Sequence, residues 1–201
     1  MRYMKRSLFF LLALSVTCAA QIKMSNLDDI FKEIEIIEKL PKDMLKAISI
    51  KETGKPWPWT VCVNGKGYYF QNEKEAIAFV KNALKDTDNV DIGCMQINFR
   101  HHGKNFRNLT EMFNPENNIR YAAKLLKKLK LISISWQDAI EKYHSFNKEF
   151  NQTYRTKVFN IWSTIRANKL KTITKRQKPI RTNKKFLQNH YIDVFYRKIS
   201  T

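Results

Sequence analysis

The sequence from Pro41 to Gly54 reads PKDMLKAISIKETG and predicts a helix with well-marked ends. Proline suits the first position of a helix, because its missing N–H group needs no partner there. Glycine is favoured just after the last helical residue, and Pro56, two positions later, prevents the helix from continuing. We therefore predict a helix that runs from Pro41 to about Thr53.

One carboxylate, Glu52, lies on the apolar face of this helix. Met44, Ile48 and Glu52 are spaced four residues apart, so they share one face. Glu52 also lies in the last turn, where the helix dipole is negative. Burial and a negative dipole end both disfavour a charged carboxylate, so both raise its pKa. Such an acid suits general acid catalysis, although a solvated or lysine-paired glutamate would fit the same pattern.

The flanking sequence predicts a mainly helical domain with one small β-hairpin. Asn64-Gly65 between two β-prone runs is typical of a two-residue hairpin turn. Apolar residues at helical spacing, preceded by the capping residues Ser25, Asn72, Asn114 and Ser135, predict further helices. We assign these helices to residues 25–40, 72–85, 114–130, 136–146 and 154–167, and we assign residues 86–105 to loop and turn with one short helical piece.

The first twenty residues have the pattern of a secretory signal peptide. Arg2, Lys5 and Arg6 precede a short apolar run at residues 8–16, and small residues follow it. The apolar run is too short to span a bilayer comfortably. We therefore predict cleavage near residue 20 and a periplasmic location, with an uncleaved membrane anchor as the alternative.

The formal net charge of +19 is concentrated at the C-terminus, where residues 169–201 contain ten Lys or Arg residues and one acid. We assign residues 1–20 to the signal peptide, 21–168 to one catalytic domain and 169–201 to a basic tail. Nucleic acid is an unsuitable partner for an exported protein. Anionic envelope polymers, lipid head groups or a secretion-system or envelope protein are better candidates, and a solvated extension is the alternative.

Cleavage of the signal peptide would remove Cys18 and leave two cysteines. In an oxidising compartment an even count suggests a disulfide between Cys62 and Cys94, with two buried thiols as the alternative. His101 and His102 are adjacent rather than helically spaced, and no cluster of residues has the spacing of metal ligands. We predict no metal, no other cofactor and a monomer.

Four motifs occur in a defined order along residues 40–165. They are Lys51-Glu52-Thr53-Gly54, Asp91-Ile-Gly-Cys-Met-Gln-Ile-Asn98, Asn114-Pro-Glu-Asn-Asn-Ile119 and Tyr143-His144-Ser145. Together they resemble the soluble lytic transglycosylase (SLT) domain, a lysozyme-like family, in the branch that accompanies specialised secretion systems. Three positions depart from the family pattern: Thr53 replaces serine, Cys94 replaces leucine and His144 replaces asparagine.

The resemblance implies a lysozyme-like fold and a carbon–oxygen lyase that cleaves peptidoglycan without water. The cleaved bond would be the β-1,4 link between N-acetylmuramic acid and N-acetylglucosamine, and the product would carry a 1,6-anhydro end. An ordinary glycosidase uses two carboxylates. Here Glu52 would act alone, first as the acid and then as the base.

The same matching gives supporting roles to residues near Glu52. Met95, Gln96 and Tyr143 would line the cleft and bind substrate, and Tyr143 would also donate a hydrogen bond to Glu52 and orient it. Met95 and Tyr143 could instead be ordinary core residues, because methionine fills cores and a buried phenol still needs a hydrogen-bond partner.

Further substrate-binding candidates are Asn98, in the second motif, and Tyr69, on the hairpin. Tyr69 could stack on a sugar ring while Tyr68 faces the core, since neighbouring strand residues alternate sides. Asp91 could be a second carboxylate, but we favour a role in stabilising the turn at Gly93.

Two other functions fit the sequence. A goose-type lysozyme-like hydrolase would use water, with Asp91 as the group that activates it. A non-catalytic peptidoglycan-binding or assembly factor would use the basic tail, although the presence of Glu52 and Gln96 argues against it.

Overall fold

A computed structural model of the chain describes residues 27–146 and 148–176, without the side chains of residues 147–151, 175 and 176. The predicted signal peptide, the Ser25 helix cap and residues 177–201 lie outside this described part. The chain divides into two compact units, Met1–Ile165 and Arg166–Thr201.

The first unit is mainly helical, as predicted, with one small antiparallel sheet. Its core is formed by aliphatic and aromatic side chains from the helices and from strands β1 and β3. The helices are α1 (27–37), α2 (Met44–Thr53), α3 (Glu73–Ala83), α4 (Phe99–His102), α5 (Leu109–Phe113), α6 (Pro115–Leu131), α7 (Trp136–His144) and α8 (Lys148–Arg176); the strands are β1 (Thr60–Val63), β2 (Lys66–Tyr69), β3 (Val90–Ile92) and β4 (Ile97–Asn98).

Helix α1 ends earlier than the predicted Leu40. Lys39 adopts a left-handed φ of 55°, and the Leu40 N–H donates to the carbonyl of Glu35 at 2.8 Å. This six-to-one bond after a left-handed residue is a Schellman termination, so a lysine here takes the place usually held by glycine.

Helix α2 begins at Met44 rather than at the predicted Pro41, because a buried acid caps it from outside. Asp43 has a left-handed φ of 67°. The Glu35 carboxylate accepts the N–H groups of Asp43 at 2.7 Å and Leu45 at 2.8 Å. A negative side chain at the positive end of the helix satisfies N–H groups that have no partner within the helix. The predicted end at Thr53 is confirmed.

The predicted hairpin is confirmed, but the sheet is larger. Strands β1 and β2 pair through Val63 and Lys66, and the turn residues Asn64 and Gly65 both have positive φ. The prediction of loop structure over residues 86–105 was wrong for β3 and β4, which extend the sheet in the order β2-β1-β3-β4. These two strands are only three and two residues long, too short to show an alternating pattern.

The predicted caps of three helices are confirmed. The side chains of Asn72, Asn114 and Ser135 accept hydrogen bonds from backbone N–H groups at the starts of α3, α6 and α7.

Helix α8 is longer than the predicted 154–167. Its last part, 166–176, belongs to the second unit and exposes Leu170 and Ile173. None of the described helices combines the length and apolar composition needed to cross a membrane.

Candidate active site

A cleft of about 840 Å³ opens in the first unit around Glu52. It collects residues from the end of α2, from the sheet, from α4, from α6 and from the end of α7. The lining includes Glu52, Thr60, Cys62, Tyr69, Asp91, Gln96, Asn98, His101, His102, Leu125, Leu129, Tyr143, His144 and Phe146.

The end of α2, which carries Glu52, is held from two sides. The Ser49 hydroxyl donates to the Cys94 carbonyl at 2.8 Å, which ties the helix to the turn between β3 and β4. The Tyr69 hydroxyl donates to the Thr53 carbonyl at 2.8 Å, so the last helical residue is bound to strand β2. Gly54 then ends the helix with a φ of 71°. Glu52 therefore enters the cleft from a rigid helix terminus.

Tyr154 of α8 is the hydrogen-bond partner of Glu52. Its hydroxyl donates a hydrogen bond to Glu52 Oε1, and the residue is only 3% exposed. The His144 ring stacks on the Tyr154 ring with the centroids 4.2 Å apart and the planes 1° from parallel. Lys51 Nζ lies 5.0 Å from the same ring centroid. These contacts hold the Tyr154 ring in place beside Glu52.

The pKa of Glu52 is raised above its usual range, as predicted. Burial of the carboxyl group is the largest cause, because it disfavours the charged form. The hydrogen bond from Tyr154 and the charge of Lys51 oppose this shift, while the charge of Asp91 adds to it. The balance keeps a proton on Glu52 at higher pH than on an exposed glutamate.

The prediction that Tyr143 would hydrogen-bond Glu52 was wrong. Tyr143 lines the cleft, but its hydroxyl donates to the Met95 carbonyl at 2.8 Å. A phenol has one hydrogen to donate, and Tyr154 provides the one that reaches Glu52. The sequence carries a weak signal for this residue, since Tyr154 lies four positions before the buried Val158 and so shares the inner face of α8.

The prediction that Met95 would line the cleft was also wrong. Its side chain is completely buried in the core. Its backbone is nevertheless important to the site, because the carbonyl accepts from Tyr143 and the N–H donates to Asn118 Oδ1 at 2.9 Å. Met95 is therefore a buried anchor for the turn between β3 and β4.

That turn depends on Gly93 and Asn118. Gly93 has a φ of 83°, and a Cβ atom added to it would lie 2.6 Å from Asn118 Nδ2, so no larger residue fits. Asn118 is completely buried, and its amide nitrogen donates to the carbonyls of Ile92 and Met112, each at 3.0 Å. The third sequence motif thus contributes a structural asparagine that holds the second motif in place.

Gln96, Asn98 and Tyr69 all line the cleft, so the structure places three of the predicted substrate-binding residues around Glu52. Gln96 has a left-handed φ of 49°, and its amide nitrogen donates to the Gly93 carbonyl at 2.8 Å. Tyr68 packs against Phe79 with ring centroids 4.6 Å apart, which leaves Tyr69 facing the cleft. Their contacts with substrate stay predictions.

Asp91 does not bind the Gly93 turn in the way we favoured. It accepts a hydrogen bond at Oδ1 from Asn98 Nδ2 at 2.9 Å, and Cys62 lies opposite it on the neighbouring strand β1. Burial raises the pKa of Asp91, and the neighbouring Asn98 and Cys62 side chains oppose the rise.

The predicted disulfide is not formed, since Cys62 and Cys94 are both free. Cys62 lines the cleft beside Asp91. Cys94 is completely buried, with its Sγ atom 3.7 Å from Asn118 Oδ1, and burial raises the pKa of its thiol to about 12. The two side chains have different surroundings, so an even cysteine count was a misleading guide.

Within residues 27–146 and 148–176, no group of three or more His, Cys, Asp or Glu side chains is arranged to hold a metal ion.

Residues 72–158 match the transglycosylase SLT domain. The matched segment starts at α3 and contains Gln96, Tyr143 and Tyr154, whereas Glu52 precedes it and joins it through the Tyr154 hydrogen bond. The match supports the SLT, lysozyme-like family and an enzyme that acts on peptidoglycan. No curated protein and no solved structure matches the chain. The secretion-system branch stays a prediction.

Proposed function

We propose that this protein is an exported peptidoglycan lytic transglycosylase in which Glu52 is the single general acid and base. The observation that carries the proposal is the hydrogen bond from the buried Tyr154 hydroxyl to a cleft-lining carboxyl group. The SLT match to residues 72–158 supports the substrate class.

The first step requires a protonated Glu52. Tyr154 donates to Oε1, so the acidic proton resides on Oε2, the oxygen that is left for the substrate. This proton passes to the glycosidic oxygen as its bond to C1 of N-acetylmuramic acid breaks. The Tyr154 hydrogen bond then becomes charge-assisted and stabilises the carboxylate that forms.

The second step uses that carboxylate as the base. The C6 hydroxyl of the same sugar attacks C1, and Glu52 accepts the hydroxyl proton as the 1,6-anhydro ring closes. The substrate's acetamido group shields the cationic centre between the two steps. Because the nucleophile belongs to the substrate, no water has to be positioned. The attack is intramolecular and loses less entropy, which lowers its free-energy barrier by several kcal/mol. Glu52 ends the cycle protonated.

A hydrolase of the goose-type lysozyme kind is the second candidate, because Asp91 lines the same cleft. It would need an Asp91 oxygen to activate water. Asn98 Nδ2 already donates to Oδ1 of that carboxyl group, and the SLT match to residues 72–158 favours the transglycosylase.

Digestion of purified sacculi tests the proposal. We expect wild-type protein to release fragments with 1,6-anhydro ends, identified by mass spectrometry, and Glu52→Gln to release none above background. Glu33→Gln, on an exposed position of α1, is the matched control and should retain full activity. Fragments with reducing ends would favour the hydrolase, and normal digestion by Glu52→Gln would refute both enzymes.

We also propose a periplasmic location and an envelope partner for the basic C-terminal tail. The support is the signal-like N-terminus and the ten basic residues in 169–201. Because α8 continues to Arg176, truncation after Arg176 leaves the described helix intact. Loss of salt-sensitive binding to sacculi in this variant would support the tail as a tether, and unchanged binding would argue against it.

A further inference from the structure

The cleft extends beyond Glu52 to a second wall that the acid–base chemistry does not use. This wall consists of His101 and His102 from α4 and of Leu125 and Leu129 from α6. Leu129 is 7% exposed, and Leu125 is partly buried. An imidazole pair therefore faces the same space as two aliphatic side chains.

The neighbours of His102 include a hydroxyl group within hydrogen-bond distance of its Nδ1 atom. Asn105 Nδ2 donates to the Tyr121 hydroxyl oxygen at 3.0 Å and to the His102 carbonyl at 3.0 Å. The same hydroxyl lies 3.0 Å from His102 Nδ1. A hydroxyl group that accepts from Asn105 still has its own hydrogen to donate, and His102 Nδ1 is within reach of that hydrogen.

With Nδ1 as an acceptor, His102 carries its proton on Nε2. Burial lowers the pKa of His102, and the charges of His101 and Lys128 lower it further, so the neutral ring is favoured. The Nε2–H group is the donor that remains for a ligand in the cleft. A hydrogen-bond donor next to two leucines suits a small group that has both a carbonyl oxygen and a methyl group.

Peptidoglycan strands alternate between one sugar with a free C3 hydroxyl and one that carries a lactyl ether at C3. The lactyl group has a methyl group and a carbonyl oxygen on adjacent carbons. We propose that the His102 wall binds this lactyl group, with Leu125 and Leu129 against the methyl group and His102 Nε2–H donating to the carbonyl. The wall then selects strands that contain muramic acid over chitin. This inference rests on the proposed function of the cleft.

Saccharide binding by the full chain carrying Glu52→Gln tests the inference, because this variant leaves its ligands intact. The ligands are a tetrasaccharide of alternating N-acetylglucosamine and N-acetylmuramic acid whose lactyl carboxyl groups are converted to uncharged amides, and chitotetraose. We expect the first to bind about tenfold more tightly, as one hydrogen bond and one methyl contact would provide. Adding His102→Ala should weaken only the muramic acid ligand and remove most of the difference.

Two further variants separate hydrogen bonding from folding. His102→Gln keeps an N–H donor and should restore part of the preference. Tyr121→Phe frees Nδ1 and should reduce the preference by about threefold, less than the loss of the whole ring. Melting temperatures identify any variant that has lost its fold.

The outcomes distinguish the two proposals. If His102→Ala leaves the ratio of the two affinities unchanged, or weakens both ligands equally, the lactyl wall is refuted while the catalytic role of Glu52 stands. If the Glu52→Gln protein binds neither saccharide and wild type leaves sacculi intact, the proposed function fails and the lactyl wall fails with it.

Discussion

Two regions that meet at Glu52 use their polar groups for different purposes. The turn between β3 and β4 is held by hydrogen bonds between its backbone and the side chains of Ser49, Asn118 and Tyr143. In α8, by contrast, the Tyr154 hydroxyl donates to the Glu52 carboxyl group itself. The turn therefore shapes the cleft, whereas Tyr154 acts on the proton of Glu52.

Loss of the acid itself should have the largest effect. Glu52→Gln keeps the size of the side chain and an acceptor for Tyr154, but it removes the proton that the reaction transfers. We expect the rate of anhydro-product release to fall by about 10³-fold, the range of a general acid–base group. Measurement of product release from sacculi, with melting curves for both proteins, checks this. A fall of less than tenfold would contradict the central role of Glu52.

A substitution that disrupts the turn should lower the free energy of unfolding rather than change the pKa of Glu52. Asn118→Ala leaves the Met95 N–H group and the Ile92 and Met112 carbonyls without their partner. Buried groups that lose their hydrogen bonds destabilise a protein, so we expect a loss of about 3 kcal/mol. Denaturant unfolding measures it. Asn117→Ala, at the neighbouring half-buried position, is the control and should change the free energy of unfolding by less than about 1 kcal/mol.

The two tyrosines provide the sharpest contrast. Tyr154→Phe removes a hydrogen bond that lowers the pKa of Glu52, so this pKa should rise. The basic limb of the pH profile of kcat/KM should move to higher pH, and kcat should fall about tenfold through loss of a charge-assisted bond.

Tyr143→Phe is the matched variant, because it removes the hydrogen bond to Met95 instead. It should lower the free energy of unfolding by about 1 kcal/mol and leave the position of the pH profile nearly unchanged. If Tyr143→Phe shifted the profile as far as Tyr154→Phe did, the two regions would not have the separate roles assigned to them.

The smallest expected effect concerns stability and pH. Since the folded state raises the pKa of Glu52, it binds this proton more tightly than the unfolded chain does. Its contribution to stability therefore falls as pH rises through the titration range. Glu52→Gln should be more stable than wild type at pH 7 by about 1 kcal/mol, and the difference should disappear at pH 4. An equal difference at both values would show that the carboxyl group is not perturbed.

Sequence periodicity and capping determined much of this fold before any contact was known. The hairpin, the caps at Asn72, Asn114 and Ser135, and the end of α2 follow from interactions within a few residues of the chain. Glu52 was also identified in this way, because the sequence shows an acid on the same helix face as Met44 and Ile48. Strands β3 and β4 could not be predicted, because two or three residues are too few to show the alternation of apolar and polar side chains that marks a strand.

Only the tertiary structure determined which side chains hydrogen-bond Glu52 and the turn between β3 and β4. Tyr154 is 102 residues from Glu52 and Asn118 is 23 from Met95, and local pattern contains no information about contacts over such separations. Resemblance to a family favoured Tyr143 as the partner of the acid, yet the packing of α7 and α8 gave that hydrogen bond to Tyr154. The sequence by itself therefore identified the acid and its helix. Tertiary packing brought Tyr154 to its carboxyl group and Asn118 to the turn that shapes its cleft. It also placed His101 and His102 in the lining of that cleft.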